Sequence, residues 1–240
     1  MGLRWLRTVR TVASVCILVL FHVPGLPQEH DPAAVIRSVD AAVAARFENI
    51  LGFTDVEHYA VYRGDDQVHP AAEMTARDTY KKGVGKTYTV MSQSGSSILL
   101  HFGLKPLLEN EQTINQPGNV EKSWFNSANY MMKLNSAAVQ NLNGRNCIAL
   151  DIKPKEEASN LIIGTMWVDA RDGTLVQIEG VASKNPSAFS GTIRMMRQYT
   201  NINGYSMAVH ARAESDSALF GRTVVMIDYS DYKLEIKTGK

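Results

Sequence analysis

Val35, Ile36, Val39, Val43, Phe47, Ile50 and Leu51 recur at helical spacing along the first apolar stretch after residue 30. Asp31 can accept hydrogen bonds from the first free backbone N–H groups, and Pro32 suits the first helical position. Gly52 can take the left-handed conformation that ends a helix. One helix with a single apolar stripe is predicted here, and that stripe must pack on something.

The period then changes from helical to alternating. Val56 to Arg63 is rich in β-formers and runs into a turn at Gly64-Asp65-Asp66. Ala72 to Tyr80 and Lys86 to Ser92 flank a turn at Lys82-Gly83-Val84-Gly85, and Ser97 to Phe102 reads as a further short strand. Leu104 to Asn115 and Ser123 to Leu134 read as helices, the second carrying Trp124, Phe125, Tyr130, Met131 and Met132. Beyond them, Asn146 to Ile152 follows the turn Asn143-Gly144. Leu161 to Asp169 and Thr174 to Ala182 form a hairpin through Ala170-Arg171-Asp172-Gly173. Gly191 to Thr200 and Tyr205 to Ala213 are joined through Asn201-Ile202-Asn203-Gly204, and Gly221 to Asp231 closes the sheet. Met207, Val209 and Ala211 share one face, as do Val225, Ile227 and Tyr229. Ser206, His210, Arg212 and Asp228 point the other way, the pattern of an antiparallel sheet with one wetted face. The predicted class is α+β, a long antiparallel sheet with a few helices on one side.

The residues before the first helix have another logic. Arg4, Arg7 and Arg10 precede an apolar run from Val12 to Val23, and Pro24-Gly25-Leu26-Pro27 ends it. That order is a secretory signal, here taken as 1–28 with a single domain over 29–240. The run is shorter than the roughly 18–20 residues a spanning helix needs. Cys16 lies inside the run, whereas a lipidated cysteine follows one, so the chain is expected to be exported and not lipid-anchored. Loss of the three arginines moves the formal charge from +1 to −2, which is no nucleic-acid footprint. Only Cys147 then remains, so no intramolecular disulfide can form and the core must supply the stability.

Sequence motifs for chemistry fail one by one. Gly83-Val84-Gly85-Lys86-Thr87 ends like a phosphate-binding loop, but the pattern's first glycine would fall at Tyr80, and strand residues follow it. His30, His58, His69, His101 and His210 form no i, i+4 pair and no ligand spacing with Cys147, so no metal is expected. No G-x-S-x-G elbow occurs. Neither catalytic residues nor a cofactor are assigned.

The words Gly164-Thr165-Met166-Trp167-Val168-Asp169-Ala170-Arg171-Asp172-Gly173-Thr174-Leu175-Val176-Gln177-Ile178-Glu179 resemble a hairpin of the bacterial outer-membrane lipoprotein-sorting (LolA-like) superfamily. The tail Leu219-Phe220-Gly221-Arg222 and Val225-Met226-Ile227-Asp228-Tyr229-Ser230-Asp231-Tyr232 resembles its closing strands. The resemblance implies an incomplete β-barrel, a curved antiparallel sheet whose concave face is covered by helices, with an apolar cavity that holds acyl chains. It also implies a soluble monomeric carrier or chaperone in the periplasm, working between an inner-membrane exporter and an outer-membrane receptor. Burial of each methylene is worth about 0.8 kcal/mol, so an acyl chain needs such a pocket to cross water. Trp124, Phe125, Met131, Met132, Met195, Met207, Val209, Val225 and Ile227 are the expected lining, and Arg63 is the candidate for holding a lid. The alternative is a non-catalytic envelope sensor or protein-interaction module on the same fold. A secreted hydrolase ranks last, because no motif supports it.

Overall fold

The computed structural model describes residues 31–185, 191–217 and 221–238. The expected signal at 1–28, with Cys16, and the pair Leu219-Phe220 lie outside the described residues. Helix α1 (Pro32–Asn49) starts as expected, with the Asp31 carboxylate accepting from Ala33 N at 3.0 Å and Pro32 in the first turn. Its end differs. The chain passes directly into strand β1 (Ile50–Arg63), and Gly52 lies inside that strand. A Cβ at Gly52 would sit 2.9 Å from the Tyr80 carbonyl oxygen, so this glycine permits close strand approach and does not end the helix.

Strands β2 (Ala72–Lys81) and β3 (Gly85–Gly95) follow. The next stretch is helical where a strand was expected. It comprises one α-turn, α2 (Ser97–Leu99), a π-helical turn (Leu100–Leu104) and α3 (Lys105–Ile114). Ser96 caps it by accepting from Leu99 N, and Leu100, Leu104 and Leu108 recur at helical spacing and pack on the sheet. Conversely, the helix expected over 123–134 is a 3₁₀ turn (Val120–Ser123) followed by strand β4 (Tyr130–Leu142). Tyr130, Met132 and Leu134 join the core while Met131 is 52% exposed, which is a strand's alternation.

Strands β5 (Arg145–Pro154), β6 (Ile162–Asp169), β7 (Leu175–Ala182), β8 (Ile193–Ile202), β9 (Tyr205–Ser217) and β10 (Gly221–Ile236) complete a meander. The turns carry positive φ where the sequence places Asn-Gly, at Asn143-Gly144 and Asn203-Gly204. All neighbours are antiparallel, in the order β3-β2-β1-β10-β9-β8-β7-β6-β5-β4, so the ten-stranded sheet is open with β3 and β4 as its edges.

The sheet is curved. Five steps across a flat sheet would separate β3 from β8 by about 24 Å. Yet Glu111 of α3 touches Lys86 of β3 at 2.5 Å, and against its burial Lys86 first and then Arg197 of β8 draw its pKa down. A glycine pair contributes to the bend. Gly164 and Gly180 are cross-strand partners, and a Cβ on either would fall 2.0 or 2.2 Å from a carbonyl oxygen of the other strand. Helices α1 and α3 lie on the inner face. Val35 and Val39 of α1 join Ile148, Leu150, Met166, Val168 and Ile178, and Leu104 and Leu108 cover Tyr59, Val61, Met74 and Ala76. The outcome is the α+β layout, an open curved sheet with helices on its concave side.

Candidate ligand-binding face

Cross-strand pairing arranges the inner face into rows. One row runs Met74, Tyr59, Ile227, Ala211, Arg197, Ile178, Met166, Leu150 and Leu134 from β2 to edge strand β4. Partners across an antiparallel pair point to the same face, so Arg197 is the one charged side chain in that row. The next row runs Ala72, Val61, Val225, Ala213, Met195, Gly180, Gly164, Ile152 and Met132, without a polar side chain. Ala211 and Ala213 make a low floor along β9, with Val225 and Ile227 on one side and Met195 and Arg197 on the other. This strip lies between the two helix-covered clusters. Met195 packs against the α1 cluster, and Val225 and Ile227 pack against the α3 cluster. Ala213, Val225, Ile227, Met195 and Arg197 all stay partly open to solvent.

Toward one end the inner face turns polar. Lys86 Nζ lies 2.6 Å from Glu57, 2.7 Å from Asp78 and 2.5 Å from Glu111, and both Lys86 and Glu57 are almost wholly buried. Tyr59 donates its hydroxyl to Glu57. Burial, then Glu111, pushes Glu57 up to about 8, and burial pushes Asp55 up to about 7 against the pull of Lys86. The Glu57, Asp78 and Glu111 oxygens lie close enough to hold a cation, but an ammonium already occupies their centre. The cluster therefore works as an ion-pair knot that joins α3 to β1, β2 and β3.

Two hollows open at the rims. A groove of about 490 Å³ on β4–β6 is lined by Met131, Met132, Asp151 and Thr165 among others. A cleft of about 310 Å³ lies between the end of α1, the β2–β3 turn and the segment after α3. Phe47 stacks on Trp124 there, with ring centroids 4.2 Å apart, beside Tyr80, Pro117 and Val120. Lys82 Nζ closes the helix end by donating to the carbonyls of Phe47 at 2.8 Å and Glu48 at 3.1 Å.

The expected lining residues are scattered over these places. Met132, Met195 and Val225 share the apolar row, and Ile227 lies in the row beside it. Trp124 walls the rim cleft, and Phe125 stacks on Tyr130 at 5.2 Å. Met131 points to the outer side and lines the edge groove. Met207 is buried, and Val209 sits half-buried where a register shift opposite Gln198 and Tyr199 interrupts the alternation. Arg63 ends β1 opposite Thr223 with its side chain exposed. Sequence reasoning did not find Lys86, Glu57, Glu111, Arg46 or Arg197. The signal was there for some. Glu57 falls on the alternation of Phe53, Tyr59 and Val61, and Arg197 on that of Met195 and Tyr199.

The hairpin that carries the resemblance is a structural clamp. Asp169 is buried and accepts from Arg145 Nε at 2.8 Å and from the side chain and backbone of Arg171. Arg171 holds its carboxyl well below the ordinary range, against its desolvation. Gly173, at φ +70°, brings the turn against Ser38 of α1, where any Cβ would overlap the helix.

No protein-family model matches the chain, and no curated protein matches it by sequence. Solved structures do. A LolA superfamily protein from Nitrosomonas europaea is 13% identical, with 86% of this chain and 94% of that one covered at a TM-score of 0.45. A DUF1329 family protein from Desulfovibrio piger is 15% identical over 88% and 96%, at 0.43. A domain from Vibrio parahaemolyticus, described as an outer membrane lipoprotein-sorting protein, is 13% identical over 85% and 92%, at 0.47.

Proposed function

We propose that the protein is an exported, non-catalytic carrier that holds the acyl chain of a lipid or lipoprotein on the inner face of its sheet. The observation that carries this reading is the strip over β8–β10. Its low Ala211–Ala213 floor, apolar walls and partial exposure suit a flexible hydrocarbon chain, and Met195 can adapt to one. Trp124 and Phe125 stand at the rim as an entrance, and Met132 and Val225 extend the apolar row. A chain that enters this strip parts α1 from α3. The tie that holds α3 down on the sheet is Lys86–Glu111, so in this reading the lid-holding part expected of Arg63 falls to Lys86.

The cellular setting in this reading is the periplasm, with transfer from an exporter to an outer-membrane acceptor. Among the described residues no helix is long and apolar enough to cross a membrane. The test is mass spectrometry of lipid extracted from the protein after purification from envelope, joined to titration with a fluorescent fatty acid. Stoichiometric lipid or saturable binding supports the carrier. A lipid-free protein that ignores the fatty acid removes it.

A further inference from the structure

Arg46 and Arg197 both face the interior. Arg46 follows Val35, Val39 and Val43 on the inward stripe of α1, and the groups that act on it electrostatically are Tyr80 of β2, Tyr199 and Arg197 of β8 and Tyr232 of β10. Arg197 is the lone cation of an apolar row, beside the Ala211 floor. Among the described residues neither guanidinium has a carboxylate within ion-pair distance. Arg46 rests its guanidinium over the Phe47 ring at 4.8 Å, and its Nε is buried with no hydrogen-bond partner. Arg197 feels Glu111 at longer range, but that carboxylate is committed to Lys86 at 2.5 Å.

Two like charges that face the interior repel one another: Arg46 Nε is buried without a hydrogen-bond partner, and Arg197, part-exposed and hydrogen-bonded with Tyr199, has no carboxylate of its own. Tyr229 acts electrostatically on Arg197 and Tyr199 hydrogen-bonds with it, while the Tyr232 hydroxyl donates to the Ala208 carbonyl at 2.8 Å. The apolar row of Val225, Ala213 and Met195 begins one residue pair away along the strands. A single ligand could therefore place an oxyanion between the cations and lay its hydrocarbon along the strip.

We infer that Arg46 and Arg197 form the head-group site for an anionic amphiphile, a single acyl chain ending in a carboxylate or phosphate. This rests on the carrier reading and sharpens it: the preferred cargo is charged at one end. Guanidinium groups suit such heads because they donate several N–H groups in one plane.

The test uses the full exported protein, stripped of lipid, and four probes: oleate, oleoyl lysophosphatidate, monoolein and inorganic phosphate. Oleate or lysophosphatidate is expected to bind about tenfold more tightly than monoolein, or better, and the arm that does so tells carboxylate from phosphate. Arg46→Gln and Arg197→Gln should each erase the preference for the anions over monoolein, and a cooperative thermal unfolding transition reports that the variants fold. Arg46→Lys and Arg197→Lys should keep part of the preference. Equal affinity for monoolein and both anions overturns the inference and leaves the carrier standing. So does a preference that survives both glutamine substitutions. Displacement of oleate by millimolar phosphate with no dependence on chain length also overturns it, since the site would then take small anions. If none of the three acyl probes binds, the carrier reading falls and the inference with it.

Discussion

Lys86 Nζ, on edge strand β3, lies 2.5 Å from Glu111 Oε2 on α3, and this contact ties the helix to that edge of the sheet. The ammonium also holds Glu57 and Asp78, so its removal leaves three acidic groups without their shared partner in a poorly solvated place. Lys86→Met should therefore cost about 3–5 kcal/mol in urea unfolding, the usual result of leaving buried charges without their partner. Glu111→Gln should cost clearly less, because the ammonium keeps two carboxylates. Equal costs for the two substitutions would mean that Lys86 is not the hub.

The same cluster sets a pH dependence. Free carboxylates lose their protons near pH 4. In the folded protein burial raises Asp55 to about 7, and burial with Glu111 raises Glu57 to about 8. Between those limits the folded state holds protons that the unfolded chain has released. The stability is thus full below the unfolded values and is lost as pH rises through about 7 to 8. The loss should reach at least about 1.4 kcal/mol, the worth of one pKa unit. Glu57→Gln should flatten that slope. Asp169 acts with the opposite sign, since Arg171 and Arg145 hold it low, and its contribution disappears only in acid. Unfolding free energy measured from strongly acidic to mildly alkaline pH, for wild type and Glu57→Gln, checks both signs.

Much of this architecture was legible in the sequence because its signals are local. The Asp31-Pro32 start of α1 and the Asn-Gly turns need only their own backbone geometry. The two misread segments depended on distant partners. Leu100, Leu104 and Leu108 are helical because they close over Tyr59 and Met74, and Tyr130–Leu134 is extended because it pairs with β5. The rows of the inner face depend on register across ten strands, which no short window contains. Met131 and Met132 show the consequence: adjacent in sequence, they belong to opposite faces. Arg197 and Glu111 gain their meaning only when curvature brings β8 and α3 toward one another.

The bend between β6 and β7 has its own test. Gly164→Ala and Gly180→Ala would each drive a Cβ into backbone, so each should cost more than about 3 kcal/mol or prevent folding. Gly144→Ala meets no atom within 4 Å, and its strain comes from φ +77° alone. Its cost should stay near 1 kcal/mol, as a roughly local backbone penalty. Thermal unfolding of the three variants separates the two cases.

Trp124 reports on the rim cleft. Its stack on Phe47 should contribute about 0.5–1.5 kcal/mol beyond area burial, so Trp124→Ala should weaken the fold by at least that much. If the cleft is the entrance to the strip, the same change should speed release of a bound fluorescent fatty acid more than it alters the unfolding free energy. Unchanged release with lost stability would confine Trp124 to a packing role.

The central claim is that an acyl chain lies on the inner strip over β8–β10. A fatty acid with a photoreactive diazirine in its chain, cross-linked to the protein and mapped by peptide mass spectrometry, tests it directly. The account predicts adducts on Met195, Val225 and Ile227, lost on competition with oleate. Adducts confined to the edge groove at Met131, Asp151 and Thr165, or no competable adduct at all, would contradict it.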